Sequence, residues 1–307
     1  MRQRYRVRLL SVAAMLATAA GVESAPLDPA RVGWSRVKLE AHKLFISATT
    51  VAEWSVEDTS SVADRLAKSP EGVAIAPGTK ILKVHYQADL PGLKSDSTVW
   101  MDPGAGNTLQ YEVRDSGKRY RERIVRFTDT GAYQRTRRPL PGEDEDTPAR
   151  WTDETEGFWP YGQNLAGKPV LDSLGLLNFI AASDLDKAGD QIEVLVFHRR
   201  VLVRVRLTVD RLLDTRVAYR AVGDDGRRSC KGSTRALAIR LTVLPFGSES
   251  TDFEFLGLKS DIVVAIEPQS RLPLRVEGRA SVVGRVTTNL QEARLIGTLR
   301  CPGLPAS

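Results

Sequence analysis

Cysteine and histidine are both scarce in this 307-residue chain: two cysteines, Cys230 and Cys301, and three histidines, His42, His85 and His198. Two distant cysteines make neither a zinc knuckle nor a CxxC redox pair. No histidine falls in an HxH or HExxH spacing that would put two ring nitrogens on one ion, so no metal site is read. No P-loop or GxGxxG stretch is present to cradle phosphates, and no cofactor is expected. After the first 22 residues no apolar run approaches the roughly 20 residues that a membrane-spanning helix needs. Internal repeats and low-complexity linkers are also missing, which points to one domain rather than an array.

Basic charge is less abundant than the formal net of +6 implies. Arg2, Arg4, Arg6 and Arg8 precede an apolar run from Leu9 to Val22, small residues follow, and Pro26 lies just beyond. A basic region, a short apolar region and a small-residue region in that order read as a secretory signal peptide over residues 1–24, cleaved near Ser24 or Ala25. Removing it lowers the formal charge to +3. The mature chain, residues 25–307, is expected in the periplasm as a single β-rich domain. Its arginines are scattered along strands, whereas nucleic acid calls for a concentrated basic face, so nucleic acid is not an expected partner. In an exported chain two cysteines are most simply a pair. A Cys230–Cys301 bridge ties the C-terminal tail to the turn "DDGRRSC".

What fills the chain is alternation of period two. In "RVKLEAHKLFIS", Val37, Leu39 and Ala41 share one face and Lys38, Glu40 and His42 the other. "TKILKVHYQADL", "NTLQYEV", "RYRERIVRF" and "VLVRVRLTVDR" repeat the pattern, with turns every 8–12 residues. About ten to twelve strands, each apolar on one face, predict a mainly β fold: a single curled antiparallel sheet, half-barrel or barrel-like. Two segments break the rhythm early. "DTSSVADRLAKSPEG", residues 58–72, predicts a short amphipathic helix with Val62 and Leu66 on one face. Residues 139–163, with their prolines, acids and the aromatics Trp151, Phe158, Trp159 and Tyr161, read as a long loop.

The third break is "VLDSLGLLNFIAAS", Val170–Ser183. Asp172 and Ser173 suit an N-cap. Leu174, Leu177 and Ala181 share one face, and Leu176, Phe179 and Ile180 spread the apolar surface round the rest. A helix that is apolar all round is buried on most sides. It is expected to cover the apolar side of the curled sheet, as a solid plug or as a lid over a ligand cavity.

"VLDSLGLLNFIAASDLDKAGDQIEVLVF" and "SRLPLRVEGRASVVGRVTTNLQEARL" are similar to segments of a bacterial exported family known as domain-of-unknown-function family 3108. In that family an Asp-led helix precedes a glycine turn and a strand, and a Leu-Pro strand leads to the last strand. The resemblance spans residues 34–296. It implies an exported single-domain β fold and carries no activity. The chain departs from it at Gly175 and Asn178, where many members have a serine and an aromatic.

Three functions follow as expectations. The first is a non-catalytic periplasmic binding or envelope-maintenance protein holding an apolar or amphipathic ligand, with Leu174, Leu177, Phe179, Ile180, Trp151 and Trp159 as contacts. The second is a hydrolase acting on envelope polysaccharide or peptidoglycan, with acids from the 143–156 segment. The third is a structural or interaction protein with no small ligand. "GSES", Gly247–Ser250, lacks the second glycine of a nucleophile elbow. Glu143, Asp144, Glu145 and Asp146 lack the ordered spacing of a calcium loop.

Overall fold

The computed structural model describes residues 27–43, 46–162, 165, 167–245, 253–281, 283–298 and 301. The expected signal peptide and the "GSES" segment lie outside the described residues.

The alternating segments all become strands, and the strands make one sheet. The first eight form an antiparallel meander: β1 (Trp34–Lys43), β2 (Ile46–Asp58), β3 (Lys80–Leu90), β4 (Leu93–Met101), β5 (Thr108–Gly117), β6 (Arg121–Phe127), β7 (Gly131–Arg138) and β8 (Asp153–Pro160). The second group is β9 (Val170–Asp172), β10 (Gln191–His198), β11 (Val201–Gly223), β12 (Gly226–Leu244), β13 (Ser260–Ile266), β14 (Pro273–Ala280) and β15 (Gly284–Leu295). The two groups join where the first strand meets the last, β1 pairing antiparallel with β15 from Trp34↔Leu295 to Ala41↔Thr288. Two contacts are parallel, refining the antiparallel expectation: β9 on β10, and Arg220–Val222 of β11 on Glu292–Arg294 of β15. Among the described residues the sheet has fifteen strands, more than the sequence pattern resolved, because short edge strands alternate weakly.

Residues 153–160, expected to be loop, are the edge strand β8. Thr155, Gly157 and Trp159 pair opposite Thr136, Gln134 and Ala132, an alternation hidden by acids and glycine. Pro160 ends an edge strand, where its missing N–H leaves no ladder bond unmade. The helix expected over 58–72 shrinks to α1 (Thr59–Val62) and one 3-10 turn. Its buried Val62 packs with Ile81, Trp100 and Leu109 on the outer side of the sheet, with Leu66 alongside.

The sheet curls until its two ends meet. The main core fills the concave side, with Val37, Leu39, Val84, Val99, Val205, Leu207, Ile239 and Val264 among its members. The second helix, α2 (Leu176–Ala182), lies within it, and all seven of its residues are buried. Strand β10 is buried on both faces. Val194 and Val196 join the main core, while Leu195 and Phe197 pack with Val125, Phe127, Ala132 and Tyr161 from the opposite end of the sheet. The Phe127 and Phe197 rings meet edge to face at 5.8 Å. The Arg200 guanidinium lies 4.4 Å above the Trp159 ring. The seam is therefore closed by side chains, and the fold is barrel-like.

Cys230 of β12 and Cys301 form a disulfide with Cα atoms 5.3 Å apart, as the cysteine count implied. No helix among the described residues is long and apolar enough to cross a membrane.

Candidate functional site

A short apolar helix has no surface of its own to satisfy its ends, so its termini decide whether it can be buried. At the front, Asp172 closes β9, and its carboxylate accepts from the backbone N–H of Leu174 (2.7 Å) and Gly175 (3.3 Å) and from the Thr108 hydroxyl (3.1 Å). Asp172 thus orders the turn before α2. The N-cap itself is Gly175 rather than the expected Asp172 or Ser173, because β9 holds Asp172 in the sheet. Asp172 is 2% exposed, and burial pushes its carboxyl up to about 6, against the lowering effect of the bonds it accepts.

At the rear stands Arg271, 1% exposed, in the connection between β13 and β14. Nε donates to Ala181 O (3.0 Å), Nη1 to Leu185 O (3.0 Å) and the Asp186 carboxylate (3.3 Å), and Nη2 to Ile180 O (3.0 Å) and Ser183 O (3.1 Å). All five guanidinium N–H groups are used. The Ala182 carbonyl takes the Asp28 N–H at 2.9 Å, and Arg31 adds a second donor to Ser183 O at 2.9 Å. A cation here also complements the negative end of the helix dipole. Arg271 is itself held in place: its φ is +57°, and its carbonyl accepts from the buried Trp34 indole at 3.0 Å.

Between these brackets α2 is a plug. Leu176, Leu177, Ile180 and Ala181 are 0% exposed. A side chain lining a void large enough for water would show accessible surface toward it, and these show none. Burying Leu177, Phe179 and Ile180 contributes roughly 1.5–3 kcal/mol each. Gly106, with φ +72°, packs closely on the helix: a Cβ there would stand 3.0 Å from the Phe179 ring. The one polar side chain in the helix, Asn178, faces Tyr86. The Tyr86 hydroxyl lies 2.7 Å from Leu174 O and 2.9 Å from Asn178 Oδ1, one proton serving both.

The six residues expected to touch a ligand do not converge. Leu177, Phe179 and Ile180 are inside the main core, and Leu174 is half-buried in the turn before α2. Trp159 packs on the seam cluster, its ring folded over Gly157 so closely that a Cβ would meet it at 2.5 Å. Trp151 is buried apart from both, its indole donating to Asp144 O at 2.8 Å. The aromatics therefore anchor their segments.

The acidic segment is self-contained. Glu143 accepts from the Leu140 N–H (2.8 Å) and the Thr152 hydroxyl (2.5 Å), and Asp144 from the Asp146 N–H (3.0 Å) and the Thr147 hydroxyl. Bonds from Thr152 and Thr147 hold the two carboxyls below their usual range, opposite to what a general acid needs. His42 and His85 pair with Glu40 (3.2 Å) and Asp96 (3.0 Å) on the outer face. His198 lies edge-on to Phe253 at 6.3 Å.

Polar groups do converge at one end of the concave face, where sequence reading did not look. Strand register places Tyr86, Ser97, Val113, Arg123 and Thr136 in one row across β3 to β7, and Asp115 beside Arg121 in the next. Arg121 and Arg123 share the inward face with Val125 and Phe127. Asp115, buried, pairs with Arg121 at 2.6 Å and Arg119 at 3.1 Å. The Arg123 guanidinium lies 5.3 Å from the Tyr111 ring. Gln134 Nε2 donates to Thr136 Oγ1 at 3.0 Å. The Nε atoms of Arg121 and Arg123 are buried with no hydrogen-bond partner among the described residues. Burial, then repulsion from Arg123, lowers the Arg121 guanidinium from its usual range. Two guanidiniums with spare donors and one carboxylate form a receptor for an oxyanion. The signal in the sequence was "RERIVRF", whose inward positions switch from arginine to apolar partway along the strand.

Comparison with protein-family models finds no match, and no curated protein matches the chain. Among solved structures, a beta-barrel-like protein of domain of unknown function DUF1849 from Brucella abortus is similar at 7% identity. The match covers 86% of this chain and 98% of that one, with a TM-score of 0.42. The fold stands on the strand pairing and not on that likeness.

Proposed function

We propose that this chain is a non-catalytic exported binding protein of the periplasm, related to family 3108, that holds an amphipathic anion at the polar end of its concave face. Arg121 and Arg123 take the anionic head; Val113 and the half-buried Leu174 lie beside the apolar part. The observation that carries this reading is the pair of buried, unpartnered Nε donors on Arg121 and Arg123. A buried donor without an acceptor costs about 1–3 kcal/mol, and an oxyanion supplies the acceptors. A ligand beneath α2 is disfavoured because the plug leaves it no room.

The test is native mass spectrometry of the exported protein with extraction of bound lipid. The expected result is an anionic amphiphile on the wild-type protein that is lost from Arg121→Ala/Arg123→Ala with the fold retained by circular dichroism. A wild-type protein carrying no amphiphile, or a variant that keeps it, overturns the proposal.

A further inference from the structure

The cations that look scattered along the sequence gather on one hairpin. Strands β11 and β12 are 23 and 19 residues long. β10 covers β11 only from Val201 to Thr208, and β13 covers β12 only from Leu237 to Arg240. The distal half projects past both neighbours, with β15 touching it at Arg220–Val222. Along that half the inward positions Thr215, Val217, Tyr219 and Ala221 are buried, and Arg216, Ala218 and Arg220 face out. Register sets Arg220 opposite Ser229, Ala218 opposite Lys231 and Val222 opposite Arg227. Arg220, Arg227, Ser229, Lys231 and Gln291 border a shallow, open depression on this surface.

Counter-charge is thin there. Arg220 reaches Glu292 at 3.6 Å, and Asp224 and Asp225 sit at the turn. Arg216, Arg227, Arg228 and Lys231 are exposed and form no ion pair among the described residues. Cations on neighbouring strands repel one another. Cys230, on the buried side of the same strand, is bonded to Cys301 and ties the hairpin to the chain beyond β15. Beside the turn, where the Asp224 N–H donates to Gly297 O at 3.4 Å, Ile296 stands 57% exposed.

We infer that the outer face of the β11–β12 hairpin docks on an anionic lipid bilayer, with Arg220, Arg227 and Lys231 on phosphate headgroups and Ile296 at the interface. Two observations favour a bilayer over a soluble anion. The cations spread along a projecting surface instead of converging on one point, and an exposed apolar side chain flanks them, the combination that binds interfaces. This inference is independent of the concave site, which faces the other side of the sheet and uses different arginines.

The test is co-sedimentation of the full exported protein with phosphatidylglycerol-containing vesicles and with pure phosphatidylcholine vesicles, at low and high salt. Wild-type protein is expected to bind the anionic vesicles alone, and less at high salt. Each surface cation is worth roughly 5-fold in partitioning, so Arg227→Ser/Lys231→Ser is expected to bind roughly 25-fold more weakly. Arg65→Ser/Lys68→Ser, with the same change in net charge at a distant exposed site, is expected to bind as wild type. The inference is overturned by a wild-type protein that ignores anionic vesicles, by a control variant that weakens equally, or by release with inorganic phosphate but not with chloride at the same ionic strength, which marks a soluble-anion site. Binding to heparin without vesicle binding overturns it in favour of a polyanionic glycan. Arg121→Ala/Arg123→Ala is expected to sediment as wild type, so failure here and failure of the concave site read out separately.

Discussion

Arg271 donates its Nε–H to the carbonyl of Ala181 at 3.0 Å, and its four remaining N–H groups end on the same stretch, between Ile180 and Asp186. This one side chain satisfies carbonyls that the C-terminus of α2 leaves open, and it lets a seven-residue apolar helix sit in the middle of a β core.

Replacing Arg271 with methionine keeps the volume and strips the donors. Several buried carbonyls then lose their partner, and the expected loss is about 3–5 kcal/mol, read as a lowered urea midpoint. Arg271→Lys is expected to fall between the two, because an ammonium lacks the planar fork.

Asp172 makes stability depend on pH. Burial raises its carboxyl from the ordinary 3.8 to about 6 in the folded state, so the folded state binds the proton more tightly. The contribution is fully present below about pH 4 and is lost as pH rises through about 6, amounting to roughly 3 kcal/mol. Asp172→Asn is expected to flatten the slope of unfolding free energy across that window, measured by denaturation at a series of pH values. An unchanged slope refutes the assignment to Asp172.

Phe179→Ala empties the part of the plug that packs against Gly106. The expected cost is about 3–5 kcal/mol, while Leu174→Ala, in a half-buried position, is expected to cost much less. Equal effects in thermal unfolding would mean that α2 is not packed as a plug.

The Cys230–Cys301 bridge closes a loop of 71 residues in sequence separation. In the chain-entropy view it is worth about 4 kcal/mol. Cys230→Ser/Cys301→Ser is expected to lower the unfolding temperature, and the wild-type protein is expected to show no free thiol until it is reduced.

The seam has its own test. A double-mutant cycle on Arg200→Ala and Trp159→Ala is expected to give a coupling of about 0.5–2 kcal/mol. Zero coupling means that the rings and not the guanidinium close the barrel.

Much of the architecture was legible in the sequence, because inward residues such as Val37, Leu39, Val205 and Leu207 alternate without a break. The helix was legible for the same reason in reverse, since no strand explains "GLLNFIAA". What holds the helix was not. Arg271 sits in "SRLPLRV", which reads as the start of a strand, and its partners lie some 90 residues away. Trp151 and Trp159 share a segment yet sit in separate places, because β8 pairs with β7 and carries Trp159 to the seam. The basic hairpin was hidden by reading charge along the chain. Only the register of β11 on β12 sets Arg220, Arg227 and Lys231 side by side.

β15 has three neighbours: β1 along one edge, β14 along the other, and the tip of β11 beyond it. Among the described residues it is also the last strand along the chain, and β1 is the first. A chain that stops before residue 284 therefore leaves open edges on β1 and β14 and takes the parallel partner from β11. The β1–β15 pairing is the contact of greatest sequence separation, so a truncation that removes β15 exposes an edge at the beginning of the molecule as well as one near its end.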